Sequence, residues 1–591
     1  MNRNAESHFA QIPRAEIPRS RFDRSHDLVT TVNTGRVVPI FVDEVLPNDT
    51  FDLTSSKVIR LMTPIAPIFG DLYADFYFFF VPARLCWKNW KYFMGEAKDS
   101  PWLDETIYTP PTVTAPNGGW VTGTIAEYMG VPIGVNKEVN ALPFRAYAKI
   151  IDDWFRDENL QTPVSIDDGD TDIIGSNGDN YITDLVKGGK PFIAAKAHDY
   201  LTSCLPEPQK GPDVPIPLGD ITVDGTSSVF GTGKPIGFFD TTDVSGGSLS
   251  VGKTGKDSNG VFNFFSTTGT QNDLGATVGN VAGMGTGKFV GVPTKEMLDE
   301  LGWTNYRNTT GLEAVFDDSQ VHISAATINE LRIAFSMQKF YERLATSGSR
   351  YIEILRSMFG AISPDARLQR SEYLGGNRVP ISISQVVQTS ATQAETGLVT
   401  TPQGTVGAYS LTNDRNKDFV KSFSEHGFVI GVMVIRYQHV YQQSLDRMFT
   451  RKDRFDYYWP VFSHIGNQPV YNYEIYCQGD DVINDDTGKP YDDETFGFQE
   501  AWASYRYKQN MVTGQMRSAA TGSLDVWHLA DDYDSLPHLG SSWIHEDIAN
   551  VDRTLTVQSS VADQFKVNIH FRNLVTRAMP LYSVPGLIDH F

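Results

Sequence analysis

One stretch of the chain matches a motif whose chemistry is the binding of nucleotide phosphates. Residues 247–254 read GSLSVGKT, a GxxxxGK run followed by Thr, in which backbone N–H groups and a lysine, here Lys253, would hold phosphate oxygens. That chemistry requires a buried strand before the loop and a helix after it. The flanking residues 240–244 and 255–260 predict neither, so we interpret the match as coincidental in a glycine-rich segment.

Two acidic clusters have residue types that could bind a hard cation. They comprise Asp167, Asp168, Asp170 and Asp172, and Asp480, Asp481, Asp485 and Asp486. The first has Ile173 where a calcium loop has its glycine, and no glutamate closes it. We therefore predict solvated turns and no metal site.

The histidines show no pattern of a catalytic or metal site. Twelve are present, with no HExxH pair, and the chain has no GxSxG elbow. His426 and His439 flank the most apolar stretch and are predicted to be hydrogen-bonded structural residues. The sequence thus predicts neither catalytic residues nor a cofactor, and the protein is expected not to be an enzyme.

The charge balance limits how the chain could contact a polyanion. Its 591 residues include 50 Lys and Arg and 71 Asp and Glu, a formal charge of −21. Such a chain does not attract nucleic acid over its whole surface, so any such contact must be local. With 40% apolar, 12% aromatic and 20% charged residues, the composition is that of a folded protein with a large core.

Cysteine usage and apolar runs bear on the compartment. Cys86, Cys204 and Cys477 form no CxxC pair, which favours a reducing compartment over a disulfide framework or a zinc site. The N-terminus has no apolar signal region, and the runs 76–81 and 428–435 are well short of the roughly 20 residues that a membrane helix needs. We expect neither standard secretion nor a membrane span.

The elements that must position these residues are mainly strands. Segments rich in Val, Ile, Phe and Tyr predict eight strands, at 37–45, 57–62, 72–81, 379–387, 428–437, 470–477, 504–508 and 564–572. The last alternates, with Phe565, Val567, Ile569 and Phe571 on one face and polar residues on the other, which predicts one exposed face. The stretch 428–435 is apolar almost throughout and predicts a central strand covered on both faces.

Helices, an arm and an insertion fill the space between the strands. Apolar spacing predicts helices at 143–160 and 325–344, each with an apolar stripe interpreted as a packing face. Residues 1–35 are polar, with Pro13 and Pro18, and read as an extended arm, which could be a loose terminus or could reach neighbours or a polyanion. Residues 206–291 contain 18 Gly in 86 positions and predict a large surface insertion, for which a role in recognition is favoured over that of a spacer.

Basic and aromatic residues near both termini are candidates for contact with DNA. Aromatic rings can stack on unpaired bases while cations contact phosphates, although most of the aromatic residues are expected to fill the core. The candidates are Arg3, Arg14, Arg19, Arg21, Arg24, His570, Arg572, Arg577 and Tyr582.

Five stretches carry a resemblance to a known family. They lie at 19–51 (RSRFDRSHDLVTTVNTGRVVPIFVDEVLPNDTF), 75–96 (DFYFFFVPARLCWKNWKYFMGE), 142–161 (LPFRAYAKIIDDWFRDENLQ), 328–355 (INELRIAFSMQKFYERLATSGSRYIEIL) and 577–591 (RAMPLYSVPGLIDHF). The sequence resembles the major capsid proteins of gokushoviruses, bacteriophages of the Microviridae. Asn48 stands where the family usually has Gly, and Ser349 where it has Thr. The segment 206–291 has little that matches.

The resemblance implies an eight-stranded viral jelly roll with long helical and irregular insertions between strands. It implies a T=1 icosahedral shell of sixty copies, built from pentamers around circular single-stranded DNA, in a virion assembled in the host cytoplasm. It also implies a DNA pilot protein, an internal scaffolding protein and a small basic DNA-binding protein as partners. The unmatched segment 206–291 corresponds to the variable insertion that is thought to form threefold protrusions, for which we expect a host surface receptor.

Together these features divide the chain into six segments. They are an N-terminal arm (1–35), a first set of jelly-roll strands (36–90), an insertion with a helix (91–205), the Gly-rich surface insertion (206–291), a helical insertion (292–375), and a second set of strands with a C-terminal arm (376–591). We expect the acidic excess to face outward and basic residues of both termini to face the genome; the alternative is that both termini are buried in contacts between subunits. Two other functions stay open, a carbohydrate-binding or adhesion protein and a nucleotide hydrolase that uses Lys253.

Overall fold

The computed structural model describes residues 18–98, 106–215, 327–393, 399–401 and 403–583, together with the backbone of six short strands between 221 and 323. The chain forms two compact units. One comprises Met1–Pro212 and Lys339–Phe591, and the other comprises Asp213–Gln338.

Nine strands of the first unit form two facing antiparallel sheets. In chain order they are β1 Ser20–Asp23, β2 His26–Val32, β3 Val38–Val45, β4 Thr50–Leu61, β5 Leu72–Pro82, β6 Glu372–Pro380, β7 Thr412–Ser422, β8 Gly427–Tyr437 and β9 Phe565–Arg577. β9 lies between β4 and both β1 and β2, and β7 follows β4, which makes a five-stranded sheet. The other sheet has the order β6, β5, β8, β3.

The topology is that of the predicted jelly roll. β1 and β2 pair one after the other with the same edge of β9. Together they take the place of one strand, so the sandwich has eight strand positions. Each sheet mixes strands from the start and the end of the chain, as two interleaved Greek keys require. Residues far apart in sequence therefore meet on one sheet.

The core between the sheets follows from the alternation of apolar residues along the strands. Phe565, Val567, Ile569 and Phe571 of β9 are buried, and the residues between them are exposed, which confirms the predicted exposed face. They pack with alternate residues of β4 and with Phe76, Phe78 and Phe80 of β5. Burial of such side chains, at roughly 25 cal/mol per Å² of apolar surface, holds the two sheets together.

The four-stranded sheet is covered on its second face as well. Phe428, Ile430, Val432 and Val434 of β8 pack against a second core built from the residues that follow β5. β8 lies between β5 and β3, so the predicted central, doubly covered strand is confirmed. The covering layer contains the helix Leu142–Ile150, which continues as the π-helical turn Ile151–Phe155 and ends before the predicted residue 160.

The second predicted helix spans Ile328–Ser347. Among the described residues its stripe is not buried, because Ile328 is 76% and Phe335 63% exposed, and Ala345 is the residue of the helix that is buried. That part of the prediction is wrong, since apolar spacing does not specify what covers a helix. Within the described residues, no helix combines the length and the apolar character needed to cross a bilayer.

Shorter elements lie in the connections. The helices are Ala83–Cys86, Trp90–Phe93, Ile125–Tyr128, Tyr351–Phe359, Asp365–Leu368, Ala503–Arg506, Ser541–Ile544 and Ala549–Asp552. The strands are Thr112–Thr114, Glu138–Asn140, Ile173–Ile174, Ile221–Val223, Ser228–Gly231, Ser250–Gly252, Phe265–Thr267, Leu312–Val315, Val321–Ile323, Ile383–Val387, Thr392–Gln393, Val399–Thr401, Val406–Ser410, Asn467–Tyr471 and Thr495–Glu500.

Three predicted strands are wrong in whole or in part. The predicted strand 379–387 is two strands in different sheets, since β6 ends at Pro380 and a separate strand spans Ile383–Val387. The sequence predicts a strand at 504–508, but Ala503–Arg506 is a helical turn that ends in extended Tyr507. The predicted strand 470–477 stops at Tyr471, because the next residues form the 3-10 turn Asn472–Glu474, which Glu474 caps. Short aromatic runs favour strands on average, and local capping overrides that preference here.

Candidate nucleic-acid interface

The outward surface of the five-stranded sheet, which we call the open face, is exposed and basic. Its side chains come from alternate positions of β1, β2, β9, β4 and β7. Six of them are Arg or Lys, three are Asp and one is His, in a chain whose formal charge is −21. The cationic residues are Arg21, Arg60, Arg415, Lys417, Lys566 and Arg572, and the others are Asp23, Asp27, Asp52 and His570.

Two cations of the open face are direct neighbours. Arg60 of β4 is opposite Lys566 of β9 in the antiparallel register, and both are exposed. Side chains in such a pair are about 5 Å apart at Cβ, and like charges there are destabilising. An anion that lies on the face removes this repulsion, so the pair favours an anionic ligand.

The other charges of the open face are partly balanced. Asp52 lies 3.8 Å from Arg21 and 3.4 Å from Lys417, and Asp27 accepts a hydrogen bond from His570 at 2.7 Å. In the described part of the chain, Arg60, Arg415, Lys566 and Arg572 form no such ion pair. Thr54 and Ser56 of β4 lie between the cations of β7 on one side and those of β9 on the other. Their hydroxyls can also bind phosphate oxygens.

Arg24 and Arg577, both predicted DNA contacts, lie at the end of the sandwich beside buried carboxylates. Arg24 binds Asp43 at 2.8 Å, and Arg577 binds Asp49 at 2.9 Å and the carbonyl of Glu44 at 2.7 Å. Burial raises the pKa of Asp43, and the charge of Arg24 opposes that shift. Each guanidinium therefore neutralises a carboxylate of its own chain.

The remaining predicted contacts are dispersed. Arg19 donates hydrogen bonds to the carbonyl of Asn48 and the hydroxyl of Thr50, both at 2.8 Å. Tyr582 is exposed beyond the end of β9. Arg3 and Arg14 lie outside the described residues.

The structure thus brings Arg21, His570 and Arg572 together on one surface and adds four cations that sequence reasoning missed. Lys566 could have been found, because it alternates with the apolar residues of β9. Arg60, Arg415 and Lys417 could not, since their position on this face depends on how β4 and β7 pair with β9 and with each other.

A buried cluster of polar residues just beyond the end of β8 has a structural role. His439 Nδ1 lies 2.9 Å from Asp531, and its Nε2 lies 3.3 Å from Glu546. Lys196, Tyr533 and Asn550 also bind Asp531, at 3.3, 2.9 and 2.7 Å. The prediction that His439 is a hydrogen-bonded structural residue is confirmed.

The acidic motifs contain no metal centre in the described residues, where no group of His, Cys, Asp and Glu has metal-ligand geometry. Asp170 is exposed but accepts hydrogen bonds from the indole of Trp87 and the amide of Asn89, at 2.5 and 2.7 Å. Asp170 therefore connects its turn to the core, whereas the sequence predicted only a solvated turn. Asp167 accepts a bond from the backbone N–H of Gly169.

The phosphate-loop match falls largely outside the described residues, Lys253 among them. Ser250–Gly252, inside the motif, is a strand that pairs with Phe265–Thr267. A phosphate-binding loop needs irregular backbone at this point, with N–H groups turned toward the ligand. The described backbone therefore does not fit a phosphate-binding loop.

Comparison with known proteins gives consistent matches over the whole chain. A family model described as capsid protein (F protein) matches residues 10–587. A protein named capsid protein VP1 from Spiroplasma virus 4 is 37% identical over 594 residues, covering 99% of this chain and 98% of its own length. Proteins of the same name from Chlamydia phage 1 and Bdellovibrio phage phiMH2K are 38% and 37% identical, with 98% or more of each chain covered.

Proposed function

Since this chain belongs to the capsid protein (F protein) family, it is a structural protein of the virion, and we propose that its copies close into an icosahedral shell around circular single-stranded DNA. The resemblance to gokushovirus capsid proteins is confirmed, because the related VP1 proteins come from viruses of Spiroplasma, Chlamydia and Bdellovibrio. Self-assembly needs surfaces that every copy presents identically, which a rigid jelly roll with folded insertions supplies.

The open face is the surface that we propose to contact the genome. One observation carries this assignment: the face concentrates six cations, two of them in direct opposition, on a chain with a large acidic excess. Of the candidates near the termini, Arg21, His570 and Arg572 belong to this contact. Arg24 and Arg577 contribute by fixing the end of the sandwich through Asp43 and Asp49.

Particle assembly is tested by electron microscopy of the purified chain. We expect closed shells of uniform size, or pentamers that convert to shells when an internal scaffolding protein is added. A chain that stays a single subunit under all conditions in which its relatives form shells would contradict the proposal.

Genome contact is tested by reversing charge on the open face. The variant Arg415→Glu/Lys566→Glu is expected to assemble but to protect less DNA from nuclease. Lys137→Glu, which reverses an exposed cation elsewhere in the first unit, serves as the control. For single strands, the plot of log affinity against log salt becomes shallower by about 0.7 for each cation that no longer binds a phosphate. Unchanged DNA content would place the contact on another surface.

Host recognition is proposed for the Gly-rich segment 206–291, most of which belongs to the separate unit Asp213–Gln338. Loops that project from a rigid scaffold are where binding residues concentrate. Replacing residues 216–291 by a short Gly/Ser linker should leave shells intact and abolish adsorption to the host cell. Adsorption at the normal level would exclude the segment as the receptor-binding site.

The remaining partners are proposed on charge and family grounds. An acidic subunit attracts a small basic DNA-binding protein electrostatically, and a DNA pilot protein and a scaffolding protein complete the assembly set. We place the assembly step in the host cytoplasm. The six segments remain our proposed division of labour along the chain, with residues 20–32 of the arm forming β1 and β2.

A further inference from the structure

The connection between β8 and β9 exposes a patch of large apolar side chains. The aromatic patch, as we call it, comprises Phe449, Phe455, Tyr457, Trp459 and Val461, each at least half exposed and Val461 at 87%. The local reason is the backbone, which forms three separate 3-10 turns, at Arg447–Phe449, Arg454–Asp456 and Pro460–Phe462. Single turns present no continuous face that could be buried. Such a concentration of exposed large apolar side chains within residues 449–461 is typical of an interaction site.

Contacts within the chain hold Tyr457 and Trp459 of the aromatic patch in place. The guanidinium of Arg451 lies over the rings of Tyr457 and Tyr505, at 5.6 and 4.0 Å from their centroids. Trp459 Nε1 donates to the carbonyl of Arg454 at 2.9 Å. Asp456 accepts from two backbone N–H groups, both at 2.8 Å. A preformed surface binds with little loss of side-chain entropy.

The chemistry of the patch favours a protein over a nucleic acid. Aromatic residues, Met and Arg are the types enriched in protein interfaces. Arg451 stacks on rings of its own chain, and Asp453 and Asp456 alternate with the cations along the segment, so it does not present the continuous row of positive charge that a phosphate backbone favours. Lys452 and Arg454 are both exposed and form no ion pair in the described part of the chain. The guanidinium of Arg454 lies over the ring of Phe455, 4.7 Å from its centroid, so a carboxylate of a neighbour would meet the cation and the aromatic ring together.

The same connection carries a surface of complementary charge. The acidic loop, residues 479–486, exposes Val482 and Ile483 between two pairs of aspartates, Asp480 with Asp481 and Asp485 with Asp486. Among the described residues, these four carboxylates form no salt bridge. The loop is anchored at its base, where Asp492 accepts hydrogen bonds from the backbone N–H groups of Gln478 and Gly479.

We propose that the aromatic patch of one subunit binds the acidic loop of a second copy of this chain. Val482 and Ile483 pack on the rings, and the aspartates pair with Lys452 and Arg454. The inference rests on the proposed function, because a shell requires contacts between identical copies. A contact between two different surfaces of the same chain is head-to-tail, and repeated around an axis it closes a ring.

Charge swapping tests this contact in the full-length protein. Lys452→Glu/Arg454→Glu and Asp481→Lys/Asp485→Lys should each lower the yield of closed shells by about tenfold or more, because like charges then face each other. All four substitutions together should restore assembly to near the wild-type yield. Lys452→Arg/Arg454→Lys, which keeps both charges, is the matched control and should assemble normally. Shells are measured by sedimentation and electron microscopy, and subunit folding by thermal unfolding of the unassembled fraction.

The outcomes separate the contact from the proposed function. If the wild type forms shells and the charge-reversed variants form them equally well, the contact is wrong and the shell function stands. If both reversals block assembly and their combination does not restore it, the patch and the loop do not pair. Normal shells that lack DNA in the Lys452→Glu/Arg454→Glu variant would assign the patch to the genome and overturn the contact. A wild type that never forms shells would overturn the proposed function itself.

Discussion

The imidazole of His439 is buried between two carboxylates just beyond the end of β8. Burial alone would lower the pKa of His439, but the charges of Asp531 and Glu546 raise it to about 9. The ring is therefore protonated at neutral pH in the folded protein. Its charge helps to hold Asp531, which also binds Lys196 from a distant part of the chain.

This cluster predicts a loss of stability at alkaline pH. The folded pKa of about 9 lies above the ordinary value of 6.5, so the stabilisation is complete below pH 6.5 and is lost as pH rises through 9. Between pH 6.5 and pH values above 9, the free energy of unfolding should fall by on the order of 3 kcal/mol. Urea unfolding of unassembled subunits between pH 6 and 10 measures it.

Two variants serve as controls for the alkaline effect. His439→Gln should be less stable at pH 7 and lose most of the pH dependence between 7 and 10. His570→Gln, which changes an exposed histidine, should keep it. A wild-type protein with constant stability over this range would show that His439 does not carry the effect.

A lysine is buried between the two sheets. Lys57 is on the inward side of β4 with its side chain fully buried, 3.6 Å from Asp418, which is equally buried. Burial lowers the pKa of Lys57 and raises that of Asp418, and the charges of Asp418 and of the less buried Asp414, 3.5 Å away, favour the ammonium form of Lys57. Phe76 also lies below the ammonium group, with its ring centre 4.3 Å away.

Removal of Lys57 alone should destabilise the sandwich strongly. Lys57→Met leaves the carboxylate of Asp418 buried without its cation, and we expect a loss of about 3 to 5 kcal/mol in unfolding free energy. The double variant Lys57→Met/Asp418→Asn leaves neither charge of this buried pair and should lose less than half of that. Chemical denaturation measures both. Equal losses in the single and the double variant would show that the ion pair is not the cause.

At the scale of elements, the pairing of β4 with β9 places two cations opposite each other, which lowers the stability of the subunit but favours the binding of DNA. Arg60→Thr/Lys566→Thr removes two facing cations, which should stabilise the isolated subunit by about 0.2 to 1 kcal/mol. The same change should weaken single-stranded DNA binding and reduce its salt slope by about 1.4. Thermal unfolding and DNA titration at several salt concentrations measure the two effects, with Lys137→Thr as control. A destabilised variant with unchanged binding would refute the assignment of the open face.

Element prediction succeeds where burial determines the pattern. β3, β5, β8 and β9 have alternating or continuous apolar residues, and their predicted positions agree with the structure within one residue at the start of each strand. β7 is absent from the predicted strands, because its sequence TNDRNKDFVKS is polar and its strand conformation depends on pairing with β4. Tertiary context decides such edge strands, which local propensity does not describe.

The residues of the open face were only partly predictable, because their positions also depend on how the strands pair. His570 and Arg572 followed from the alternation in β9 alone. The inward position of Lys57 and the outward position of Arg60 depend on the register of β4, which nothing local in the sequence defines. Arg577, at the far end of β9, donates a hydrogen bond to Asp49, which lies 528 residues away in sequence. No local pattern could have predicted that contact.

At the scale of the whole molecule, the two ends of the described chain close the same sheet. β1 and β2, at residues 20–32, pair with β9, at residues 565–577. β9 also pairs with β4 along its other edge, so it is an inner strand of the five-stranded sheet. Pairings between residues so distant in sequence form late and slowly, because a long chain segment must be closed to make them.

This arrangement predicts that the end of the chain decides whether the sandwich folds. A chain truncated after Asp563 lacks β9, which leaves edges of β2 and β4 unpaired and removes Phe565, Ile569 and Phe571 from the core. We expect such a chain to be insoluble or to unfold without a cooperative transition. A chain truncated after Ser583 keeps β9 whole and should unfold cooperatively. Circular dichroism during heating distinguishes the two, and a cooperative transition in the shorter chain would mean that β9 is dispensable for the fold.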